Sequence, residues 1–149
     1  MLRFLFHTEG DFPTFFARVF LGAVMLPHGL QKLLGMFGGN GYEATVKYFV
    51  QGGLPEIVAI LIIVGESVGA ACLIIGFMGR VCAIGIITIM TGAIVTVHAK
   101  YGFFMNWFAA QDGQGYEYHL LAIGLGLAVL FGGSGKFSVD RFITNKIAV

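Results

Sequence analysis

Five ionisable side chains of this 149-residue sequence, Arg18, His28, Lys32, Glu66 and His98, fall inside or at the ends of long apolar runs. A charged or imidazole group in hydrocarbon is costly unless it is paired, hydrated or bound to something, so each is a candidate for a functional site. The residue types suit proton handling and charge stabilisation. A sheltered carboxylate takes up a proton readily, imidazoles switch between donor and acceptor near neutral pH, and an ammonium group stabilises developing negative charge. On a helix turning about 100° per residue, Arg18, His28 and Lys32 lie within roughly 80° of one another on one face. Glu66 sits near the middle of the second run, with Lys32 or Arg18 as its expected partner. His98 closes the third run on a stripe with Thr88 and Thr91, at the same end as His28 and Lys32, and Glu117 opens the fourth run there too. Each of these groups also has a plain structural role open to it. Arg18 and Lys32 can snorkel to headgroups, Glu66 can close a buried ion pair, and His28 and His98 can be core histidines bonded to a carbonyl.

The elements that must position these groups are four apolar runs, about 13–34, 55–77, 80–98 and 117–132. Each is near the ~20 residues that cross a ~30 Å hydrocarbon core. Hydrophobic residues make up 57% of the chain and charged residues 11%, and the mean hydropathy is +0.85. This composition predicts an all-α integral membrane four-helix bundle forming a single domain over residues 1–149. The first run is too long for a signal-peptide core and is expected to stay as a span. Pro13 suits a first helical turn, Pro55-Glu56 opens the second helix with a carboxylate at its positive end, and Pro27 predicts a kink one residue before His28. Glycine-rich residues 35–54 and the segment 100–116 read as long links, and 76–80 as a tight hairpin. Gly65 and Gly69 stand at the spacing that lets helix backbones approach closely.

Charge placement orients the bundle. Arg3, Arg18, Arg80, Lys136, Arg141 and Lys146 fall on one side, against Lys32, Lys47 and Lys100 on the other. The positive-inside rule then puts both termini in the cytoplasm of a multi-pass cell (inner) membrane protein, with the tail 135–149 along the cytoplasmic interface. A formal net charge of +1 offers no basic face for nucleic acid. Cys72 and Cys82 lack the spacing of a dithiol or metal motif and read as packing residues, although adjacent helix ends can bring their sulfurs close.

In this topology His28, Gln31, Lys32, Glu66, His98 and Glu117 converge on the outer half of the bundle, a usual place for a pocket between helices. The third link adds Phe103, Phe104, Trp107 and Phe108 beside Asn106, then Asp112, Tyr116 and Tyr118. Such a lid suits a flat quinone-like ring and equally suits a membrane-interface belt. His119, two residues past Glu117, is expected on another face, toward solvent.

The segments His28-Gly29-Leu30-Gln31-Lys32-Leu33, Gly65-Glu66, Gly79-Arg80, His98, Gly102-Phe103-Phe104 and Gly115-Tyr116-Glu117-Tyr118 occur in that order along the runs. In this combination, over about residues 13–143, the chain resembles the DoxX family of small bacterial membrane proteins, many of them designated oxidoreductases. The resemblance implies a four-helix membrane bundle connected with quinone or sulfur redox chemistry. On that expectation Glu66 and Glu117 handle protons, and His28 and His98 bond the ring oxygens. Lys32 stabilises negative charge, while Gln31, Arg18, Phe104, Trp107 and Tyr118 complete the ligand site. No metal, flavin, haem, iron–sulfur or disulfide signature is present. Electrons must therefore come through a bound quinone, a partner redox subunit or direct chemistry. Expected partners are membrane lipid, a quinone or small sulfur substrate, such a redox subunit and further copies of the chain. The alternative is a non-enzymatic membrane scaffold or chaperone for a partner protein, and a third possibility is a carrier for a small anion or lipid, which with four helices would require an oligomer.

Overall fold

In a computed structural model, which describes residues 6–8 and 10–147, the chain is all-helical. Helix α1 spans Phe12–Leu34, α2 Gly41–Gln51, α3 Glu56–Ile75, α4 Gly79–Tyr101, α5 Glu117–Gly132 and α6 Val139–Ile147. Helices α3 and α4 are long and apolar enough to cross a membrane. A third such unit is α1 taken with the segment Met36–Gln51, which bends from it by 95°. Helix α5 is apolar but shorter, at 16 residues.

Helix α1 begins where Asp11 accepts the Thr14 amide at 2.8 Å, with Pro13 in its first turn. It continues unbroken through Pro27 and stops at Gly35, whose φ of 71° is one that glycine adopts without strain. Its buried face, Thr14, Ala17, Arg18, Leu21, Gly22, Met25 and Gly29, follows the three- and four-residue spacing of a packed helix. Helix α1 lies against α3 and α5, and α4 packs on α5 and α3. Leu21, Met25, Leu73, Ile86, Met90 and Val129 fill the core between them.

Two features depart from the sequence expectations. Residues 35–54 are not simply a link, because they contain α2, which packs on α1 and α3. The helical content of Gly41–Gln51 was hidden by the glycines around it, which serve the sharp bend rather than a loop. Close backbone approach does occur, but at Gly22 and Gly29 of α1. A Cβ on Gly22 would meet the Ala70 carbonyl, and one on Gly29 would collide with the carbonyl of Glu66. Gly65 faces an Ile89 side chain and Gly69 meets only its own helix.

The end of the molecule holding the α1 N-terminus is pinned by polar groups. Arg18 is 0% exposed. Its guanidinium donates to the carbonyls of Leu73 and Ile74 at the end of α3, and to those of Ser134, Lys136 and Phe137 after α5. Arg80 donates to the Leu130 and Phe131 carbonyls at the end of α5. Both arginines thus satisfy carbonyls that a helix end leaves open, where the helix dipole favours a cation. Asp140 of the tail is buried and accepts the amides of Met78 and Gly79 and the Ser134 hydroxyl. The tail is therefore bound into the α3–α4 turn through Asp140 rather than merely resting beside it.

Candidate functional site

Helix α3 changes geometry around its one buried acid. Residues Gly65–Gly69 form a π-helical turn, and Glu66, 4% exposed, sits on it facing α1. Gly29 lets the α1 backbone lie directly against the Glu66 carbonyl, and the Lys32 ammonium one turn on reaches the Glu66 carboxylate in an ion pair. The Lys32 side chain keeps 25% exposure, so the pair has a wet side and a dry side. Ser67 beside it returns its hydroxyl to the Ile63 carbonyl at 2.6 Å. A second π-helical turn, Ile94–His98, ends on His98. Turns of this kind interrupt the regular backbone ladder and recur at functional sites.

The aromatic and imidazole groups form a row beside this pair. His28 lies in electrostatic reach of both Lys32 and Glu66, and its ring centroid is 6.0 Å from that of Tyr118. The Tyr118 hydroxyl donates to Met25 Sδ at 3.2 Å. The His119 ring follows at 5.4 Å from Tyr118 and stands 4.1 Å from His98. His98 Nδ1 is hydrogen-bonded to the Gln114 carbonyl at 2.8 Å. His119 is 6% exposed, and its Nδ1 has no hydrogen-bond partner.

The lid, residues 102–116, is ordered by its own hydrogen bonds. Glu117 Oε1 accepts the Met105 amide at 3.0 Å and the Trp107 indole at 3.2 Å. Asn106 and Gln114 bond the backbone on either side of the lid's tip. Gly115 is packed beneath the carbonyls of Gly102, Phe103 and Phe104, where no Cβ fits. Between lid and α5 lies an open, mostly apolar cleft of about 500 Å³, lined by Phe103, Met105, Trp107, Glu117, Tyr118 and Leu121 among others.

The residues singled out from sequence therefore divide into groups. Lys32 and Glu66 are in direct contact, with His28 and Tyr118 beside them and His98 linked through His119. Glu117, Trp107 and Tyr118 line the cleft. Gln31 turns away to the Phe37 carbonyl at 3.2 Å, bracing the turn before α2. Phe104 is 73% exposed outside the cleft. Arg18 is engaged at the opposite end of α1, about 21 Å of helix rise from Lys32, so it neither partners Glu66 nor snorkels. Thr88 and Thr91 spend their hydroxyls on the Ile84 and Ile87 carbonyls of their own helix. His28 is an exposed residue rather than a core one.

The expectation for His119 is corrected: it is buried, not solvent-facing. It stands on the packed stripe of α5 with Ala122, Gly126 and Val129, and that three- and four-residue spacing of small groups was the signal that could have placed it. Asp140 also escaped notice, because a lone acid in an amphipathic tail looks like a solvated one. Among the described residues no three His, Cys, Asp or Glu side chains cluster as metal ligands.

The DoxX family model matches residues 14–99, which include all but the first two residues of α1, the paired Lys32 and Glu66, and α4 through His98. The chain is also similar to "Putative oxidoreductase CatD" of Bacillus subtilis (strain 168), 30% identical over 130 residues, covering 87% of this chain and 86% of that protein. No solved structure matches the chain. A family match across more than half of the chain, together with a relative aligned over most of both lengths, makes this membrane protein a member of the DoxX family.

Proposed function

We propose that this protein is a membrane oxidoreductase component handling a quinone, or a small sulfur compound that exchanges electrons with quinone, at the end of the molecule that carries the Lys32–Glu66 pair. DoxX membership and the oxidoreductase relative support the redox role. The single observation that carries the site is the Lys32–Glu66 ion pair on a π-helical turn, dry on one side and open on the other. In this proposal α1, α3, α4 and α5 all cross the inner membrane, with both termini in the cytoplasm. The lid then faces outward.

Each side chain has a task that its surroundings permit. Quinone reduction takes up protons along with electrons, and Glu66, held beside an ammonium group, is placed to pass a proton without being left charged and alone. Lys32 stabilises negative charge that develops on a quinone or thiosulfate oxygen. His28 and Tyr118 offer hydrogen bonds beside the pair, and His98 with His119 continues the polar row toward the lid. Trp107 and Phe103 provide flat apolar walls for a ring or its isoprenoid tail at the cleft, while Glu117 fixes the lid that forms one side of it.

Glu66→Gln tests the role directly, because the amide keeps the shape and loses the proton. Quinone-dependent turnover is expected to fall by about 10²-fold or more, with folding and recovery of partner proteins intact. Unchanged turnover with lost partner recovery would instead support a scaffold or chaperone. The exposure of Trp107 at 78% and Phe108 at 93% on the lid is the observation that favours this second role.

A further inference from the structure

The end of the molecule away from the Lys32–Glu66 pair carries a surface that the redox role leaves unused. Phe12, Phe16 and Phe20 recur every fourth residue on one face of α1, and all three are exposed. Their ring centroids follow one another at 6.2 Å and 6.5 Å, a file that extends about 12 Å along the helix. Past Phe12 the file continues with Phe137, 6.4 Å away and 74% exposed. Phe137 keeps a left-handed φ of 51°, an unfavourable value for a bulky residue, while Arg18 holds its carbonyl at 2.8 Å. The strained backbone thus presents a ring that the rest of the chain leaves mostly uncovered. Beside it the Lys136 ammonium stands 4.0 Å over the Phe12 ring, and the Lys136 amide donates to the Asp11 carbonyl at 3.0 Å. Among the described residues no carboxylate pairs with this ammonium. The Asp11 carboxylate is engaged by Thr14, and Asp140 is buried against Met78, Gly79 and Ser134.

We propose that this file and Lys136 form a binding site for an anionic phospholipid, with one acyl chain along Phe20, Phe16 and Phe12 and the headgroup phosphate on Lys136. The Phe12 ring engages one side of the ammonium and leaves N–H donors for a phosphate oxygen. An acyl chain laid on the rings covers the apolar file, including Phe137 at the level of the ammonium. Ordinary lipid-facing surface lacks the second part of this arrangement, a cation tied in place beside the apolar file. A cation near the membrane surface favours headgroups of net negative charge. A zwitterionic headgroup is disfavoured because its own ammonium already balances its phosphate. From the function proposed above the site takes only that α1 crosses the bilayer, and neither quinone nor the Lys32–Glu66 pair enters it.

The test uses the full chain in detergent micelles with equimolar phosphatidylglycerol and phosphatidylcholine of identical acyl chains, and native mass spectrometry counts the lipid retained. The wild type should retain phosphatidylglycerol about fivefold over phosphatidylcholine. Lys136→Gln should bring the two lipids close to equal, whereas Lys136→Arg and Lys47→Gln, the latter at the other end of α1, should keep the preference. Equal retention by the wild type, or a preference that persists in Lys136→Gln, would overturn the proposal. A second measurement needs no variant. Phosphatidylglycerol carrying a photoreactive diazirine in its acyl chain should label the wild-type protein within residues 12–20 or at Phe137. Unlabelled phosphatidylglycerol should suppress that labelling more strongly than phosphatidylcholine does. Labelling confined to α3 and α4, or equal suppression by both lipids, would contradict the site. Equal suppression by glycerol phosphate, which has no acyl chain, would reduce the site to a phosphate contact and overturn the lipid assignment.

Discussion

Glu66 is tolerable in the interior because Lys32 meets it, and the stability of each depends on the other. Removing one partner of a buried pair strands the remaining charge, at a cost of about 3–5 kcal/mol when both are dry. The partial exposure of Lys32 puts this pair toward the low end. Lys32→Met should therefore destabilise the folded protein by about 3 kcal/mol in denaturant unfolding, and Glu66→Leu by a similar amount. The double variant should lose markedly less than the sum of the two, and strict additivity would show that the groups do not depend on each other. Arg18 follows a different logic, because its planar fork addresses carbonyls from two helix ends at once. A lysine cannot reproduce that fan of donors, so Arg18→Lys should lower the thermal midpoint markedly while leaving quinone turnover per folded molecule unchanged. At this scale the sequence showed which acid needs a partner, since ionisable groups are so scarce in the apolar runs, and left Lys32 and Arg18 both open as that partner until the structure paired it with Lys32. It did not show that Arg18 serves carbonyls rather than a carboxylate, because backbone acceptors have no residue type to read.

Helix ends and helix contacts add their own expectations. Burial acts to raise the pKa of the Asp11 carboxyl, but hydrogen bonds from Thr14 outweigh it and hold the group below its ordinary value of 3.8. A carboxylate with a lowered folded pKa contributes stability above its unfolded value and loses it as pH falls through the folded one. Asp11→Ala should accordingly cost about 1 kcal/mol at neutral pH, and the gap from wild type should close when thermal unfolding is followed into acid below 3.8. A gap that stays constant with pH would contradict the cap. Gly29→Ala should separate α1 from the π-helical turn, because its new methyl group meets the Glu66 carbonyl rather than a yielding side chain. Lower stability together with weaker Lys32–Glu66 coupling is the expected outcome. The apolar runs and the start signals Pro13 and Pro55 made α1 and α3 to α5 legible in the sequence. The α2 helix was not legible, since its short polar-apolar mixture sits between glycines. The π-helical turns were not legible either, because one extra residue per turn leaves no compositional mark.

For the whole molecule, the number of helices that cross the bilayer has a simple readout. Four crossings place both termini on one side, whereas three place them on opposite sides. Terminal tags in inverted vesicles should be equally accessible to protease. Protection of one alone would contradict the proposed topology. An outward lid, a Lys32–Glu66 pair beneath it and an arginine-pinned opposite end would then divide the protein into a ligand-binding end and a rigid base. The most direct measurement is the quinone content of the protein purified in its native lipid, extracted and quantified against lipid phosphorus. The wild type should carry close to one quinone per chain above the lipid background and Glu66→Gln distinctly less. Quinone at the background level in both would contradict a quinone-binding function.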